Sequence, residues 1–176
     1  MKILKRIIII ILVLVAIPFI MAIFIKKDYT VEKQVTINKP EPEVFDYIKH
    51  LKNQNDYNAW CLADPNLKNE YTGTDATEGF IYGWSGNEHV GKGKIEITKI
   101  NENERLDMNL HFIEPFEGEA KAYMTTTPVG DNATTVTWVM SGHSNYPMNF
   151  MNLFTESTVG NNLQTSLENM KSNLEK

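Results

Sequence analysis

Apolar and polar residues alternate along most of the chain beyond residue 28, which indicates a protein built mainly of strands with one wet face. Turn-forming links at 101–103 and 130–132 are short, so they predict antiparallel hairpins. Seven segments are predicted as strands: 29–37, 67–72, 80–84, 91–100, 106–112, 120–125 and 135–141.

Helical spacing follows the first strand and returns at the end of the chain. Segment 40–51 opens with prolines and acids, which suit a first helical turn, and a shorter helix is predicted at 57–61. The longest helical pattern, 147–176, carries a single apolar stripe that must be buried against a neighbour. The stripe consists of Val159, Leu163, Leu167, Met170 and Leu174. We therefore predict that the sheet wraps this helix.

The resulting order is one strand, two helices, six strands and a long helix, which is an α+β arrangement. A strongly curved sheet that grips a helix leaves a cavity at its wide end, where small molecules bind. Gly160 interrupts the last helical pattern, and glycine within a helix costs about 1 kcal/mol relative to alanine. We predict that it separates a movable lid, 148–154, from a packed wall, 159–174.

The first part of the chain contains an uncharged apolar run, 7–25, which predicts one membrane-spanning helix. At ~1.5 Å per residue the run is close to the ~30 Å of a bilayer core, and membrane helices tolerate a proline such as Pro18. A signal peptide is the alternative, but the end of the run offers no small-x-small cleavage site. We therefore expect an anchor at 1–27 and a domain at 28–176.

Charge is distributed unevenly between these two parts. Lys2, Lys5 and Arg6 precede the run and Lys26 and Lys27 follow it, a balance that favours a cytoplasmic N-terminus and an extracytoplasmic domain. The domain has the other 12 bases and all 22 acids, so its net charge is −10. This charge argues against binding nucleic acid and against the domain lying flat on anionic lipid.

Several polar residues are candidates for chemistry, and each also has a purely structural interpretation. His111 and Glu114 have metal-ligand spacing on a helix, but in a strand their side chains point apart. Glu88 and His89 form a possible acid–base pair, although hairpin residues are usually solvated. His143 is predicted at the mouth of the cavity, where it could hydrogen-bond a ligand.

The remaining candidates have weaker patterns. Cys61 is the only cysteine, so the chain has no internal disulfide, and it is either a nucleophile or a small residue at the core or rim. His50 is expected on the solvent side of the first helix. Asn132 begins a glycosylation triplet that also suits a hairpin turn. We expect neither a metal nor a cofactor.

Several motifs resemble those of the SRPBCC superfamily, which includes START, Bet v 1-like and polyketide cyclase/dehydrase-type proteins. The motifs are VFDYI at 44–48, YNAW at 57–60, DPN at 64–66, the glycine-framed aromatic stretch 79–87 with 90–93, and the segments 112–116, 135–138 and 159–171. The resemblance covers 29–176 and implies a helix-grip, Bet v 1-like fold. Tyr57 and Leu62 depart from it, because many relatives have Trp and a second aromatic residue there.

Methionine and aromatic residues dominate the predicted inner face, and methionine suits an adaptable pocket as well as ordinary core packing. Together with the implied fold, this pattern predicts the lining of a ligand pocket. The predicted lining residues are Trp60, Tyr82, Trp84, Met108, Leu110, Met124, Trp138, Met140, His143, Met151 and Phe154.

Three functions are compatible with these patterns. The leading hypothesis is a membrane-anchored domain that binds a hydrophobic or lipid-like small molecule between the sheet and the last helix. A cyclase or dehydratase-like enzyme is the second, and it requires a buried ionisable group that the inward strand positions lack. A protein-interaction module, like chaperone-associated relatives, is the third and requires an exposed apolar patch. We expect binding rather than catalysis.

Overall fold

The computed structural model describes residues 2–176 and contains one sheet of seven antiparallel strands. The strands are β1 (Asp28–Ile37), β2 (Lys68–Thr72), β3 (Ile81–Ser85), β4 (Lys92–Asn101), β5 (Arg105–Glu114), β6 (Gly118–Pro128) and β7 (Thr134–His143). Their spatial order is β1-β7-β6-β5-β4-β3-β2. The predicted α+β architecture and strand number are therefore confirmed.

Five α-helices accompany the sheet in the described part of the chain. They are α1 (Lys2–Phe24), α2 (Glu41–Lys49), α3 (Gln54–Tyr57), α4 (Ala59–Leu62) and α5 (Asn161–Leu174). Two 3₁₀ segments, Leu51–Asn53 and Met148–Leu153, and one π-helical turn, Glu156–Gly160, complete the helical structure.

The C-terminal helix is shorter than its sequence pattern predicts. Regular α-helix begins at Asn161, whereas the preceding residues form the π-helical turn and the 3₁₀ segment. Gly160 is buried at this junction, and a Cβ atom there would lie 3.1 Å from the Lys33 side chain. Lys33 of β1 also pairs with Glu156, so the absence of a side chain at Gly160 lets the turn approach the sheet closely.

The apolar stripe of α5 packs into the concave side of the sheet. Leu163, Leu167 and Met170 are fully buried and belong to one core cluster, together with Phe45 and Ile48 of α2. Burying a side chain of this size stabilises the fold by about 1.5–3 kcal/mol, so this stripe is a major reason why the sheet closes around the helix.

Helix α1 has the composition of a membrane span. Ile3–Phe24 comprises 22 residues, its most apolar 18-residue window has a mean hydropathy of 3.4, and only 6% of that window is buried. A soluble core helix would have its apolar side chains covered, whereas these side chains are exposed along most of the helix. The segment is therefore long and apolar enough to cross a bilayer, as a signal sequence also would be.

The end of α1 is held by the segment that follows β7. Asn149 donates from Nδ2 to the carbonyl oxygens of Ala22 and Ile25, at 2.6 and 2.8 Å. Asn152 donates from Nδ2 to the carbonyl oxygens of Lys26 and Lys27, both at 3.0 Å. The 3₁₀ segment Met148–Leu153 is thus docked on the junction between α1 and β1.

Candidate functional site

A cavity of about 220 Å³ lies between the sheet, α4 and the π-helical turn. The sheet contributes Ile95 and Leu110 from its central strands, α4 contributes Trp60, and the turn contributes Val159. This is the space between sheet and C-terminal helical region in which the sequence places a ligand pocket.

Strand register places the cavity at the end of the sheet nearest α1. Tyr29, at the start of β1, pairs with Gly142 of β7, which pairs with Ala120 of β6. Ala120 in turn pairs with Leu110 of β5. Leu110 pairs with Ile95 of β4, which pairs with Tyr82 of β3. Tyr29, Leu110, Ile95 and Tyr82 all line the cavity. Because β1 begins four residues after α1 ends, the cavity and α1 share one end of the domain.

All three tryptophans of the chain, Trp60, Trp84 and Trp138, line the cavity. The Trp84 indole packs edge-on against Phe112, with ring centroids 6.0 Å apart, and donates from Nε1 to the carbonyl oxygen of Val90 at 3.4 Å. It also lies over Gly93, where an added Cβ would come within 2.5 Å of the ring. The absence of a side chain at Gly93 therefore allows Trp84 to form its part of the wall.

A hydrogen-bonded cluster closes one side of the cavity around the Tyr82 hydroxyl. The hydroxyl lies 3.3 Å from the Cys61 sulfur and 3.0 Å from the side-chain oxygens of both Asn55 and Asn69. Because Tyr82 has one proton to donate, it can bond only one amide oxygen at a time, while Cys61 can donate to Tyr82. The cluster is uncharged and locally satisfied.

Burial keeps the ionisable groups of this wall neutral. Desolvation raises the pKa of the Tyr82 hydroxyl far above its ordinary value, raises the pKa of the Cys61 thiol and raises the pKa of Tyr29. A protonated thiol is a poor nucleophile, and a phenol with a raised pKa is a poor general base near neutral pH. The arrangement therefore supports recognition of an apolar molecule better than acid–base chemistry.

A second polar chain runs along the helical side of the cavity. Asn58 caps α4 by accepting the Trp60 backbone N–H on its side-chain oxygen at 3.0 Å. Its amide nitrogen donates to the side-chain oxygen of Gln54 at 2.8 Å. Gln54 and Asn58 are both buried and both line the cavity.

The structure brings together six of the residues that the sequence proposes as pocket lining. They are Trp60, Tyr82, Trp84, Leu110, Trp138 and Met140. Their role in ligand binding stays a prediction, because the position of a side chain on the cavity wall does not by itself identify a ligand.

The other five proposed residues do not line this cavity. Met108 and Met124 are buried in the main core, since their side of the sheet is covered by α2 and α5 deeper in the fold. His143 is exposed, and its Nδ1 lies 2.6 Å from an Asp28 carboxylate oxygen at the sheet edge. Met151 and Phe154 remain 48% and 50% exposed on the segment docked near α1.

The structure also places the predicted lid, 148–154, away from the cavity. The 148–154 segment makes contact with the end of α1 rather than covering the cavity, because Asn149 and Asn152 fix it to backbone carbonyls there. The helical wall in contact with the cavity is formed at Val159, within the π-helical turn. The residues before Gly160 are therefore docked on the end of α1 instead of forming a lid over the cavity, and the helical wall of the cavity is the π-helical turn.

Some lining residues were missed by sequence pattern. Tyr29 and Phe112 continue the inward phase of β1 and β5, so alternation identifies their face but not their position at the cavity end of the strand. Gln54 lies in a polar stretch, 52–56, that has the composition of a surface linker, and Asn58 follows it closely, yet both are buried. The asparagine before α4 is a recognisable helix cap, and that signal alone could have marked Asn58 as structured.

The other candidate residues lie outside the cavity or at its edge. His111 faces Glu117 and Glu119 at 3.9 and 3.8 Å on the sheet surface, rather than Glu114. His50 contacts an Asp75 carboxylate oxygen at 3.3 Å. Within residues 2–176, no group of three or more His, Cys, Asp or Glu side chains is placed to hold a metal ion.

His89 alone among the histidines lines the cavity, in the loop between β3 and β4. It is exposed, and its backbone N–H donates to the side-chain oxygen of Asn87 at 2.9 Å, which fixes the loop rather than the imidazole. His89 is therefore a residue of the cavity rim.

A curved antiparallel sheet around a C-terminal helix, with an apolar cavity at one end, defines a helix-grip domain of the Bet v 1-like class. The family model described as "Polyketide cyclase / dehydrase and lipid transport" matches residues 28–175, and the chain belongs to this family. A comparison with curated proteins found no significant match.

Solved structures share this fold at low sequence identity. The Zhui aromatase/cyclase from Streptomyces sp. R1128 has a TM-score of 0.65 at 12% identity, covering 84% of this chain and 94% of its own. Norcoclaurine synthase from Thalictrum flavum, in complex with dopamine and hydroxybenzaldehyde, has a TM-score of 0.64 at 10% identity, covering 84% and 86%. Protein CV1439 from Chromobacterium violaceum has a TM-score of 0.61 at 13% identity, covering 84% and 97%.

Proposed function

We propose that the protein binds a compact hydrophobic molecule in the cavity, and that α1 holds the domain at a membrane. The observation that carries the proposal is the cavity itself, whose wall is mainly aromatic and aliphatic. A dry cavity of ~150 Å³ can bind benzene, and pockets for drug-sized ligands have ~300–1,000 Å³. A cavity of about 220 Å³ is therefore suited to a one- or two-ring molecule or to part of a lipid chain.

The membrane part of the proposal has support from the α1 junction. The domain hydrogen-bonds the backbone of Ala22, Ile25, Lys26 and Lys27, and these contacts favour a helix that is retained over a signal peptide that is removed. Exposed apolar side chains of the 148–154 segment lie beside this junction, where a membrane interface would cover them. The anchor would then hold residues 28–176 with the cavity end toward the bilayer. Apolar molecules dissolved in the bilayer would partition from it into the cavity.

An enzyme of the cyclase kind has less support. Such an enzyme needs a group that changes protonation near neutral pH inside the cavity. Tyr29, Cys61 and Tyr82 have raised pKa values, and His89 lies on the exposed rim. We therefore propose sequestration or transfer of the ligand, without chemical change, as the function.

Ligand binding can be tested on the full chain in lipid nanodiscs by native mass spectrometry and solvent extraction. A co-purified apolar compound of roughly nine or ten non-hydrogen atoms is expected, because benzene, with six, fits a ~150 Å³ cavity. The variant Leu110→Trp narrows the cavity from β5 and should lose the compound while keeping the fold. Recovery of no compound from the wild type, or equal recovery from the variant, would contradict binding in this cavity.

Anchoring and orientation can be tested separately by translation in the presence of microsomes. Asn132 lies exposed in the turn after β6 and belongs to an Asn-x-Thr triplet, so it reports translocation of the domain. We expect a carbonate-resistant product with one endoglycosidase-sensitive glycan, and no glycan on Asn132→Gln. A carbonate-soluble product would contradict anchoring, whereas a membrane-bound product without glycan would place the domain on the cytoplasmic side.

A further inference from the structure

Two residues of the cavity wall each carry a buried hydrogen-bond donor that has no partner among residues 2–176. The side-chain amide nitrogen of Gln54 and the indole nitrogen of Trp138 are the atoms concerned. Gln54 is fully buried, Trp138 is 3% exposed, and both residues line the cavity. Buried donors are nearly always paired, so two unpaired donors around one cavity require an explanation.

The orientation of the Gln54 amide follows from its neighbours. The Trp60 backbone N–H can only donate, so the Asn58 side-chain oxygen must face it. The Asn58 amide nitrogen therefore faces Gln54 and requires an oxygen there. This chain of bonds leaves the nitrogen of Gln54, and not its oxygen, as the free group.

Trp138 has no alternative state, since an indole nitrogen is a donor only. Its ring is held edge-on to Tyr57, with centroids 6.3 Å apart, and lies within the buried core cluster. Trp84, on the opposite side of the same cavity, provides a contrast because its indole N–H has the Val90 carbonyl as a partner.

We propose that the ligand presents a neutral carbonyl oxygen to Gln54 and Trp138, on an otherwise apolar body. The inference rests on the proposed binding function and defines the class of ligand. A carbonyl oxygen has two lone pairs and can accept both donors without bringing a donor of its own into the cavity. The described lining contains no lysine or arginine, so a carboxylate would be buried without a counter-charge and is disfavoured.

Two probes that differ only at the carbonyl, 1-tetralone and tetralin, test this inference. Both are two-ring molecules of the size that the cavity admits. Their dissociation constants are measured with the full chain in nanodiscs by intrinsic tryptophan fluorescence, with empty nanodiscs as the partition blank. The quantity of interest is the ratio of the tetralin constant to the 1-tetralone constant, because it cancels changes in general apolar affinity.

Trp138→Phe should lower this ratio about 3- to 10-fold, the effect of losing one hydrogen bond. Trp84→Phe is the matched control, since it removes similar area from the same cavity but a donor that already has a partner. It should weaken both probes to the same extent and leave the ratio unchanged. An equal ratio in wild type, Trp138→Phe and Trp84→Phe would overturn the inference while leaving apolar binding intact.

Asn58→Asp tests the chain of hydrogen bonds that runs from the Trp60 backbone N–H through Asn58 to Gln54. Aspartate still accepts the Trp60 N–H but cannot donate to Gln54, so the Gln54 amide should turn its nitrogen toward residue 58. The oxygen of Gln54 would then face the cavity, and the preference for 1-tetralone should fall about 3- to 10-fold. Retention of the full preference would overturn the role assigned to Gln54.

Infrared spectroscopy of carbonyl-labelled 1-tetralone in the wild type gives a measurement that needs no folded variant. A carbonyl that accepts hydrogen bonds absorbs at lower frequency than the same carbonyl in cyclohexane. We expect the bound band on the low-frequency side, and a band at the cyclohexane position would overturn the inference. If neither probe binds the wild type, the result contradicts both the proposed binding function and the inference about the carbonyl group.

Discussion

The Asn149 side chain lies 2.6 Å from the carbonyl oxygen of Ala22 and so connects the domain to the last turn of α1. The final carbonyls of a helix have no partner within the helix, so they need another donor. Asn149 is buried and supplies that donor to both Ala22 and Ile25, and Asn152 continues the series to Lys26 and Lys27. The contact between α1 and the rest of the chain is therefore made by side chains that are distant in sequence.

Removing these donors should loosen the junction without unfolding the domain. The double variant Asn149→Ala/Asn152→Ala loses the four hydrogen bonds to these carbonyls, of about 1 kcal/mol each with partial compensation by water, and the one that Asn152 accepts from the Ser144 hydroxyl. We expect trypsin cleavage after Lys26 and Lys27 to accelerate at least 10-fold, because local opening of this segment then requires less free energy. Asn162→Ala, which removes an exposed hydrogen bond from α5 to the π-helical turn, is the control, and equal cleavage rates in both variants would contradict a stabilising role of Asn149 and Asn152 at this junction.

Methionines that look equivalent in sequence should differ in their contribution to stability. Met124 is fully buried in the core, so Met124→Ala should lower the free energy of unfolding by about 2–5 kcal/mol. Met151 is 48% exposed, so Met151→Ala should change it by less than about 0.5 kcal/mol. Guanidinium unfolding followed by tryptophan fluorescence measures both, and similar costs would place Met151 in a packed environment that the structure does not contain.

The sequence predicts the fold well because period and burial agree along the strands and in α5. Leu163, Leu167 and Met170 recur at helical spacing and are fully buried, and alternation in β5 identifies Leu106, Met108 and Leu110 as inward residues. Alternation gives the face of a strand but not the depth along it. Met108 and Leu110 therefore have the same pattern, although only Leu110 lines the cavity.

The site was less predictable because its polar wall depends on contacts between distant segments. Gln54 has polar neighbours in sequence and Asn58 precedes a short helix, and only the fold joins them to each other and to the cavity wall. Helical pattern before Gly160 likewise failed to predict the 3₁₀ segment, since the hydrogen bonds from Asn149 to the end of α1 are not encoded by any local period.

Gly93 should be essential for the position of Trp84. A Cβ atom at this position would lie 2.5 Å from the indole and 2.6 Å from the backbone oxygen of His111, so Gly93→Ala must displace the ring or the strand. We expect a loss of about 1–3 kcal/mol of stability and a shift in tryptophan emission.

Gly118 supplies the control for this substitution, because nothing lies within 4 Å of an added Cβ there. Gly118→Ala should stay within about 0.5 kcal/mol of the wild type. Equal effects of the two substitutions in urea unfolding would show that close contact with Trp84 is not the cause.

Cys61 should react slowly with alkylating reagents in the folded chain, with a pH dependence displaced to alkaline values. Desolvation raises the pKa of its thiol, and only the thiolate reacts. The iodoacetamide rate should rise about 10-fold per pH unit through pH ~8.5, where the rate of an ordinary cysteine levels off.

The raised pKa of the Cys61 thiol should also make the free energy of unfolding depend on pH. The folded state favours the neutral thiol, whereas the unfolded thiol ionises near pH ~8.5. The contribution of Cys61 to the free energy of unfolding is therefore complete below that pH and is lost as pH rises toward the folded-state pKa. The stability difference between wild type and Cys61→Ala should fall accordingly in guanidinium titrations from pH 7 to 10. A constant difference, or an alkylation rate that levels off below pH 8, would contradict a buried and protonated thiol in the cavity wall.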